Sequence, residues 1–293
     1  MRWYMSNQHI VDCAMRALLY EVSATPKPGL VDRQNNGAHH DMNFFSFIDS
    51  SVSLNSYFNK IRNYIELTYG NHASSFLPAD AIFKNLVPLG IEAEVKMKAV
   101  TNGVNTHKGA IYALGLLTAA ALENSMLLKK YDISHILDRV SEYVAPSLST
   151  VFMAAESDES YGVQQYRTLG LLGARGEAFS KYASVTEFGL PSLELAIEKG
   201  CNFNDAMIHA LLNLMAHVVD SNVIGRHDLD MLSRSQSRAK EVLDKGSVFS
   251  DMGKMAINAY DEWCNKAYVS HGGCADLLAV TLFLYFIKAT TTL

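Results

Sequence analysis

Apolar residues recur along this chain three or four positions apart, and strict alternation of apolar and polar residues is rare. The first such stripe consists of Ile10, Ala14, Ala17, Leu18 and Val22. Similar stripes run through residues 132–145, 205–220 and 272–288. This spacing is typical of amphipathic helices. Because no repeat or charged linker divides the chain, the pattern predicts an all-α fold, a single helical domain of about ten helices over residues 1–293.

The most deeply buried helix is expected at residues 106–123, which are apolar on all sides after Lys108. Its start reads NGVNTHK, in which Asn105 or Thr106 can cap the helix while several amide N–H groups remain free. A buried helix start beside His107 and Lys108 favours the binding of an anion.

A second predicted helix, DAMIHALLNLMAHVVD, carries a polar stripe. The stripe consists of Asp205, His209, Asn213, His217 and Asp220. Spacings of three and four residues put these side chains on one helix face. We favour a solvated stripe, and the alternative is a stripe that leads to a site at its Asp220 end.

The composition and net charge of the chain argue against some classes of binding partner. Charged residues make up 19% of the chain, below the typical share of about 25%, and the net charge is −5. These values argue against a nucleic-acid or anionic-membrane surface. Four scattered cysteines without a C-x-x-C pair indicate a reducing cytoplasm. The N-terminus turns polar at Ser6, and the late run ADLLAVTLFLYFIKA is shorter than the roughly 20 residues that span a bilayer.

The densest polar segment is ATPKPGLVDRQNNGAHHDM, residues 24–42. Pro26 and Pro28 end the first helix, because proline lacks an amide hydrogen and restrains the residue before it. The resulting stiff loop presents Lys27, Asp32, Arg33, Asn35, Asn36, His39, His40 and Asp41. Polyphosphate recognition needs cations and amide donors, whereas carboxylates bind a divalent metal or accept a proton. The segment therefore favours a phosphate site.

Smaller polar clusters flank other predicted helix ends, and a cap or a turn explains each one alone. They comprise Glu92 and Glu94, then Arg175 and Glu177 in GARGEA, then Asp220, Asn222 and Arg226 in DSNVIGR, then Asp276 in SHGGCAD. None matches the GKS/T phosphate loop, the Rossmann glycine pattern or H-E-x-x-H.

Taken in order, five segments resemble the triphosphoribosyl-dephospho-coenzyme A synthase family. They are EVSATPKPGLVDRQNNGAHHDM, GVNTHKGAIYALGLL, GLLGARGEA, DSNVIGR and GGCADLLA. The motifs PKPGLVDR and GVNTHKG are long and specific, and the resemblance extends from about Glu21 to Ala279.

Two segments depart from the family pattern. Where the family usually reads R-G-G after D-T-N, this chain has Arg226, His227 and Asp228. Where it usually reads S-P-G-G-S-A-D, this chain has SHGGCAD, with His271 and Cys274 substituted. The local geometry of both segments is therefore open.

The resemblance implies a transferase that moves the 5-triphosphoribosyl group of ATP to 3′-dephospho-coenzyme A and releases adenine. The product is the prosthetic-group precursor for the acyl carrier subunit of citrate lyase, or of malonate decarboxylase in related systems. The ribose 2′-hydroxyl attacks C1′ of ATP, so the reaction needs a base, a stabilised anomeric centre and cations for the retained triphosphate.

These requirements assign roles to the polar residues. Phosphate binding is expected from Lys27, Arg33, Asn105, Thr106, His107, Lys108, Arg175 and Arg226. The candidate catalytic carboxylates are Asp32, Glu177 and Asp220, and Asp220 and Asp276 are the candidate ligands of Mg²⁺. The division of base and metal roles among the carboxylates is open. The alternative for Asp32 is a residue that pairs with Arg33 or caps a turn.

Two other functions compete with the transferase. The doublets HHD at 39–41 and RHD at 226–228 suggest a metal-dependent His-Asp phosphohydrolase, although two adjacent residues recur often by chance. The third hypothesis is an inactive helical adaptor for a lyase carrier subunit.

The resemblance also sets expectations for the surroundings of the protein. ATP and 3′-dephospho-CoA are the expected partners, the product passes to a transferase that modifies the carrier protein, and a homodimer is an option. Neither nucleic acid nor membrane is an expected partner. The expected location is the cytoplasm.

Overall fold

The computed structural model describes residues 6–70, 75–129, 131–153 and 170–291. Within these residues all regular structure is helical and no strand occurs. The α-helices are α1 (Asn7–Ser23), α2 (Phe44–Tyr69), α3 (Ala79–Val100), α4 (Lys108–Leu128), α5 (Ile133–Met153), α6 (Gly173–Phe179), α7 (Leu190–Glu198), α8 (Phe203–His217), α9 (Ser221–Arg226), α10 (Leu229–Asp244), α11 (Asp251–Ala267) and α12 (Gly272–Thr291). The predicted all-α fold of about ten helices is confirmed.

The chain divides into two compact units. The first unit comprises Met1–Leu18, Ser50–Tyr182 and Phe283–Leu293, and the second comprises Leu19–Asp49 and Ala183–Leu282. The interpretation of residues 1–293 as a single domain stays a prediction.

Helix α4 is the buried helix of the first unit, as the sequence predicted. All residues from 113 to 124 are buried. The helix begins two residues later than predicted, because His107 has the non-helical angles φ −135° and ψ 22°. It continues past residue 123 to Leu128 and ends where Lys129 adopts a left-handed conformation with φ 53°.

Two helices, α4 and α12, are long and apolar enough to cross a membrane by length and composition. Helix α12 is longer than the apolar run in its sequence suggested, so length alone does not exclude it. Burial distinguishes core helices from membrane-spanning ones, and 72% of the apolar window in α4 and 61% of that in α12 lie inside the protein. Such burial is typical of core helices, which satisfy the same test of composition.

Helix α8, in the second unit, corrects the interpretation of the polar stripe as a solvated face. His209 is buried, and its Nδ1 lies 2.9 Å from Ser247 Oγ. Of the five residues of the stripe, only His217 is exposed. The helix ends there because Val218 is extended, so Asp220 lies beyond the helix and not on its face.

A buried ion pair joins three helices of the first unit. Glu123, on α4, is fully buried, and its two carboxylate oxygens accept hydrogen bonds from Arg139 Nε at 2.7 Å and Nη2 at 3.1 Å. The hydroxyl groups of Tyr69, on α2, and Tyr143, on α5, also donate to this carboxylate. Four hydrogen-bond donors therefore compensate the negative charge of Glu123, which burial separates from water.

The substitution Glu123→Gln is expected to destabilise the fold by about 3–5 kcal/mol, because it leaves the buried guanidinium of Arg139 with only the exposed Glu142 as a counter-ion. Urea unfolding curves would measure the change. Glu142→Gln is the matched control, because Glu142 bonds the same guanidinium at 2.8 Å but is 59% exposed, and exposed pairs contribute about 0–1 kcal/mol. Equal losses in the two variants would contradict the assignment of Glu123 as the main partner.

Candidate functional site

The polar segment between α1 and α2 is a folded loop in the second unit. The Leu30 N–H donates to the Lys27 carbonyl over 3.0 Å. Pro28 and Gly29 lie between them, and Gly29 has φ +70°, the pattern of a type II turn. A Cβ atom at residue 29 would lie 2.2 Å from the Val269 carbonyl oxygen. Glycine is therefore required both by the backbone angle and by the space.

Asp32 organises the second half of this loop. Its side chain is buried, and one carboxylate oxygen accepts the backbone N–H of Lys27 at 2.8 Å. The other oxygen accepts the backbone N–H groups of Gln34 at 2.6 Å and Asn35 at 3.0 Å. A carboxylate offers about four acceptor positions, and the backbone occupies three of them. This geometry supports the turn-stabilising alternative for Asp32, and its catalytic role stays a prediction.

Asp261, on α11, fastens the same loop. Its Oδ1 accepts the Gly29 N–H at 3.0 Å, and its Oδ2 accepts the side-chain amide of Asn35 at 3.0 Å. Burial raises the pKa of Asp261, and the hydrogen bonds from Gly29 and Asn35 oppose this rise. The sequence analysis missed Asp261 because nothing near it resembles a motif and its partner Gly29 lies 232 residues away.

Lys27 points into the second unit. Its side chain is 1% exposed, and its ammonium forms an ion pair with the buried carboxylate of Glu21. Burial raises the pKa of Glu21, and the positive charge of Lys27 opposes this rise. The expected phosphate role of Lys27 stays a prediction, and it would require the ammonium to leave Glu21.

Two arginines of the predicted set are exposed in the second unit. Arg33 contacts Thr25 Oγ1 at 3.3 Å through Nε and Asn204 Oδ1 at 3.2 Å through Nη2. Arg226 lies in the last turn of α9. Burial lowers the pKa of His39 to about 4, and the positive charge of Arg226 acts in the same direction. The loop and the end of α9 therefore lie close enough to interact.

Asp220 lies at the starts of two helices. Its Oδ1 accepts the Asn222 N–H of α9 at 2.8 Å, and its Oδ2 accepts the Cys274 N–H of α12 at 2.9 Å. Both helix N-termini favour a negative charge. A Cβ atom at Gly273 would lie 3.1 Å from each carboxylate oxygen, so this glycine permits the close approach of Asp220.

The two departures in SHGGCAD meet at Asp220. His271 Nδ1 lies 3.9 Å from Asp220 Oδ2 and 3.9 Å from Cys274 Sγ, and all three residues are buried. Burial lowers the pKa of His271, whereas the charge of Asp220 opposes this change. The sequence showed both substitutions but not that they lie beside Asp220.

In the first unit, the start of α4 is capped by its own neighbours. Asn105 Oδ1 accepts the Lys108 N–H at 3.0 Å, whereas the N-cap position itself is occupied by His107, whose side chain makes no capping hydrogen bond. Buried His107 lies 2.6 Å from Ser50 Oγ through Nδ1, and Thr106 donates to the same hydroxyl at 2.8 Å. Capping therefore uses one of the amide groups that were predicted to bind an anion.

Helix α6 carries the other two predicted residues of the first unit. Arg175 is exposed, and Glu177 is half-buried. Burial raises the pKa of Tyr112 to about 12, and the positive charge of Arg175 opposes this rise. Since Tyr112 lies in the second turn of α4, this interaction brings Arg175 towards the turn that begins at Lys108. The Lys108 ammonium itself lies 3.4 Å from Glu94 Oε2.

The predicted site residues are thus shared equally by the two units. The first unit contains Asn105, Thr106, His107, Lys108, Arg175 and Glu177. The second contains Lys27, Asp32, Arg33, Asp220, Arg226 and Asp276, the last half-buried in the second turn of α12. The assigned roles of all twelve stay predictions.

The two His-Asp doublets have structural contacts. The His40 ring packs against that of Tyr268 with 5.5 Å between the ring centroids, and Asp41 is exposed at the surface. Asp228 Oδ1 accepts the Met231 N–H at 2.8 Å and so caps α10. A cap and a surface side chain give little support to a hydrolase centre.

Comparison with known proteins gives one consistent result. The family model described as ATP:dephospho-CoA triphosphoribosyl transferase matches residues 7–292. A probable 2-(5″-triphosphoribosyl)-3′-dephosphocoenzyme-A synthase of Vibrio cholerae serotype O1 is 39% identical over 277 residues, covering 93% of this chain and 86% of its own. The Klebsiella pneumoniae synthase of that name is 35% identical, covering 96% and 91%. The Escherichia fergusonii synthase is 37% identical, covering 96% and 92%. No solved structure matches the chain.

Removing the Asp261 carboxylate should release the loop. In Asp261→Ala the Gly29 N–H loses its buried acceptor, which costs about 1–3 kcal/mol, so its hydrogen exchange is expected to become at least about tenfold faster. Asp261→Asn keeps one acceptor oxygen and should give an intermediate rate. The control is Glu262→Ala, which removes the neighbouring carboxylate, 70% exposed and paired only with nearby Lys266 in the structure described. Equal exchange rates for the loop in Asp261→Ala and Glu262→Ala would show that Asp261 does not hold it.

Proposed function

The chain belongs to the ATP:dephospho-CoA triphosphoribosyl transferase family, and we propose that it transfers the 5-triphosphoribosyl group of ATP to the ribose 2′-hydroxyl of 3′-dephospho-CoA. The match of the family model over residues 7–292 carries this proposal. The products are adenine and 2′-(5″-triphosphoribosyl)-3′-dephospho-CoA, the prosthetic-group precursor for the citrate lyase acyl carrier protein. The citrate lyase role fits the family.

The reaction is a substitution at the anomeric carbon of ATP. A bond forms between the 2′-oxygen of dephospho-CoA and C1′, while the bond from C1′ to adenine breaks with its electron pair on the base. The hydroxyl proton passes to a carboxylate, and adenine takes up a proton as it leaves. A carboxylate near C1′ also stabilises the positive charge that develops there.

We propose that the exposed cations of each unit are ligands of substrate phosphate groups. They are Arg33, Lys108, Arg175 and Arg226. An exposed guanidinium or ammonium exchanges water for phosphate oxygens, and such charge-assisted bonds are strong. The start of α4, with Asn105, Thr106 and His107, contributes its positive helix end. Lys27 ranks behind these groups because its ammonium would first have to leave Glu21.

Among the catalytic carboxylates we propose Glu177 as the base. Asp32 accepts three backbone N–H groups and Asp220 accepts two. Both carboxylates therefore have a structural role, and accepting a proton would disturb these hydrogen bonds. Glu177 is half-buried on the same short helix as Arg175. This helix therefore combines a proposed proton acceptor, Glu177, with a proposed phosphate ligand, Arg175.

The expected Mg²⁺ does not fit the surroundings of Asp220. Mg²⁺ prefers six oxygen ligands and usually keeps several waters, whereas Asp220 is buried beside an imidazole and a thiol. Asp276, half-buried in the second turn of α12, is the remaining carboxylate of the predicted pair. We therefore propose that Mg²⁺ accompanies the triphosphate of ATP and is not held by Asp220.

The setting of the reaction follows from its substrates. ATP and dephospho-CoA are metabolites of the cytoplasm, where we place the enzyme. Its product still carries a triphosphate, so we propose that a second transferase attaches it to the carrier protein. A homodimer is a further proposal that size measurements in solution would test.

A chromatographic assay separates the transferase from the phosphohydrolase and from an inactive adaptor. With ATP, Mg²⁺ and dephospho-CoA, adenine should form in proportion to turnover while ADP stays at background, because attack falls on carbon and not on phosphorus. Omission of dephospho-CoA is the control and should abolish adenine release. ADP formed in step with turnover would support the hydrolase, and ATP binding without adenine release would support the adaptor.

Substitution of the carboxylates tests the choice of base. Glu177→Gln is expected to lower kcat by about 10²–10⁴-fold with a nearly unchanged thermal midpoint, since loss of a general base acts on the rate. Asp32→Asn should lower the thermal midpoint, because its amide group cannot accept the bonds of the carboxylate oxygen it replaces; each lost bond costs about 1–3 kcal/mol. Glu142→Gln is the exposed control. A Glu177→Gln enzyme with parental kcat would remove Glu177 from the catalytic set.

A further inference from the structure

Asp220, His271 and Cys274 form a compact set of three different metal-ligating side chains. Their ligand atoms all lie within 4.8 Å of one another, and the side chains are 0–1% exposed. His271 and Cys274 are three residues apart at the start of α12, and Asp220 comes from the segment before α9. Short spacing of two ligands with another from a separate segment is typical of zinc sites.

A hydrogen-bond network at Nε2 of His271 supports one of its two tautomers. His271 Nε2 lies 2.8 Å from Ser235 Oγ, which lies 2.8 Å from Tyr260 Oη. The Tyr260 hydroxyl donates to the Ser235 carbonyl over 3.2 Å. Every group is satisfied when Nε2–H donates to Ser235 Oγ and the Ser235 hydroxyl donates to Tyr260. The Nδ1 lone pair then faces Asp220 and Cys274.

This arrangement is the one that metal-binding histidines use. The nitrogen that does not bind the metal donates its proton to a neighbouring acceptor, which fixes the ring orientation. A proton on Nδ1 would instead lie 3.9 Å from Asp220 Oδ2, beyond hydrogen-bond distance, and would have only a long contact of 3.9 Å with Cys274 Sγ. The network therefore prepares Nδ1 as a ligand.

Geometry and charge both suit a divalent transition metal. In a tetrahedral zinc complex the ligand atoms are separated by about 3.4–3.6 Å, as follows from bond lengths of about 2.0–2.3 Å. Nδ1 lies 3.9 Å from both Oδ2 and Sγ, and all ligand atoms lie within 4.8 Å of one another, so binding requires the side chains to close by up to about 1.2 Å. A carboxylate and a thiolate neutralise the two positive charges, so the complex adds no net charge to the interior.

We propose that Asp220, His271 and Cys274 bind a zinc-type transition metal ion that fastens the start of α12 to the segment before α9. Binding converts the Cys274 S–H to a metal–sulfur bond and releases its proton to solvent. A solvent molecule fills the fourth position. Thiolate and imidazole select this class of metal over Mg²⁺. Since His271 and Cys274 are departures from the family motif, family membership does not imply this site.

Metal analysis of the purified chain tests the proposal without any assay of the transferase. We expect about one zinc ion per chain to survive dialysis against a chelator and to be released on unfolding in guanidinium, because the ligands are buried. Refolding with Co²⁺ should give the near-ultraviolet charge-transfer band of a cobalt–thiolate bond. Refolding with Zn²⁺ should raise the thermal midpoint relative to refolding with chelator.

Variants identify the ligands. Cys274→Ser and His271→Gln should each abolish the cobalt–thiolate band, and Ser235→Ala should weaken zinc binding by about 10–100-fold. Cys13→Ser is the matched control, because Cys13 Sγ also lies near a histidine nitrogen, His9 Nε2 at 3.3 Å, and it should retain the metal. If the Cys274 or His271 variant fails to fold, the refolding experiments on the parent chain decide alone.

Two results would overturn the proposal. One is a parent chain that holds no zinc and gives no cobalt–thiolate band on refolding. The other is a folded Cys274→Ser variant that binds metal as tightly as the parent. Adenine release with either result would leave the transferase function standing, so failure of the metal site and failure of the proposed function are distinguishable.

Discussion

Backbone N–H groups in loops and in the first turn of a helix lack a partner within a helix, and in the second unit three aspartates accept hydrogen bonds from such groups. Asp32 accepts the N–H groups of the turn around it, Asp261 accepts that of Gly29, and Asp220 accepts two at helix starts. An unsatisfied buried amide costs about as much as a lost hydrogen bond. The irregular segments of the candidate site therefore depend on these carboxylates for their shape, before any of them takes part in chemistry.

Helices were predictable because their signal is local and repeated. The apolar content of residues 106–123 was sufficient to identify α4, and its first residue differs by only two. The end of α8 was not predictable in this way, because Asp220 continues the spacing of the polar stripe although the chain has already become extended at Val218. A periodic sequence pattern does not show where a single change of backbone angle ends the helix.

The residue types of the candidate site were predictable from the sequence, but the burial of each side chain was not. Lys27 and Arg33 belong to the same motif, yet Lys27 is buried against Glu21 whereas Arg33 is exposed. Asp261 lacked any signal because its partner Gly29 is distant in sequence. His271 and Cys274 stood out as departures, but their meeting with Asp220 depends on how α12 begins. Such contacts are tertiary, and one sequence does not contain them.

Buried and exposed charged groups of this protein are suited to different roles. A triphosphate brings several negative charges, and an exposed cation binds them without leaving a buried counter-ion unpaired. A buried cation must also abandon its partner, and a buried carboxylate left without a counter-charge is costly. This reasoning favours Arg33 over Lys27 as a phosphate ligand. It also favours a neutral metal complex over Mg²⁺ at Asp220, since the interior tolerates charge only where charge is cancelled.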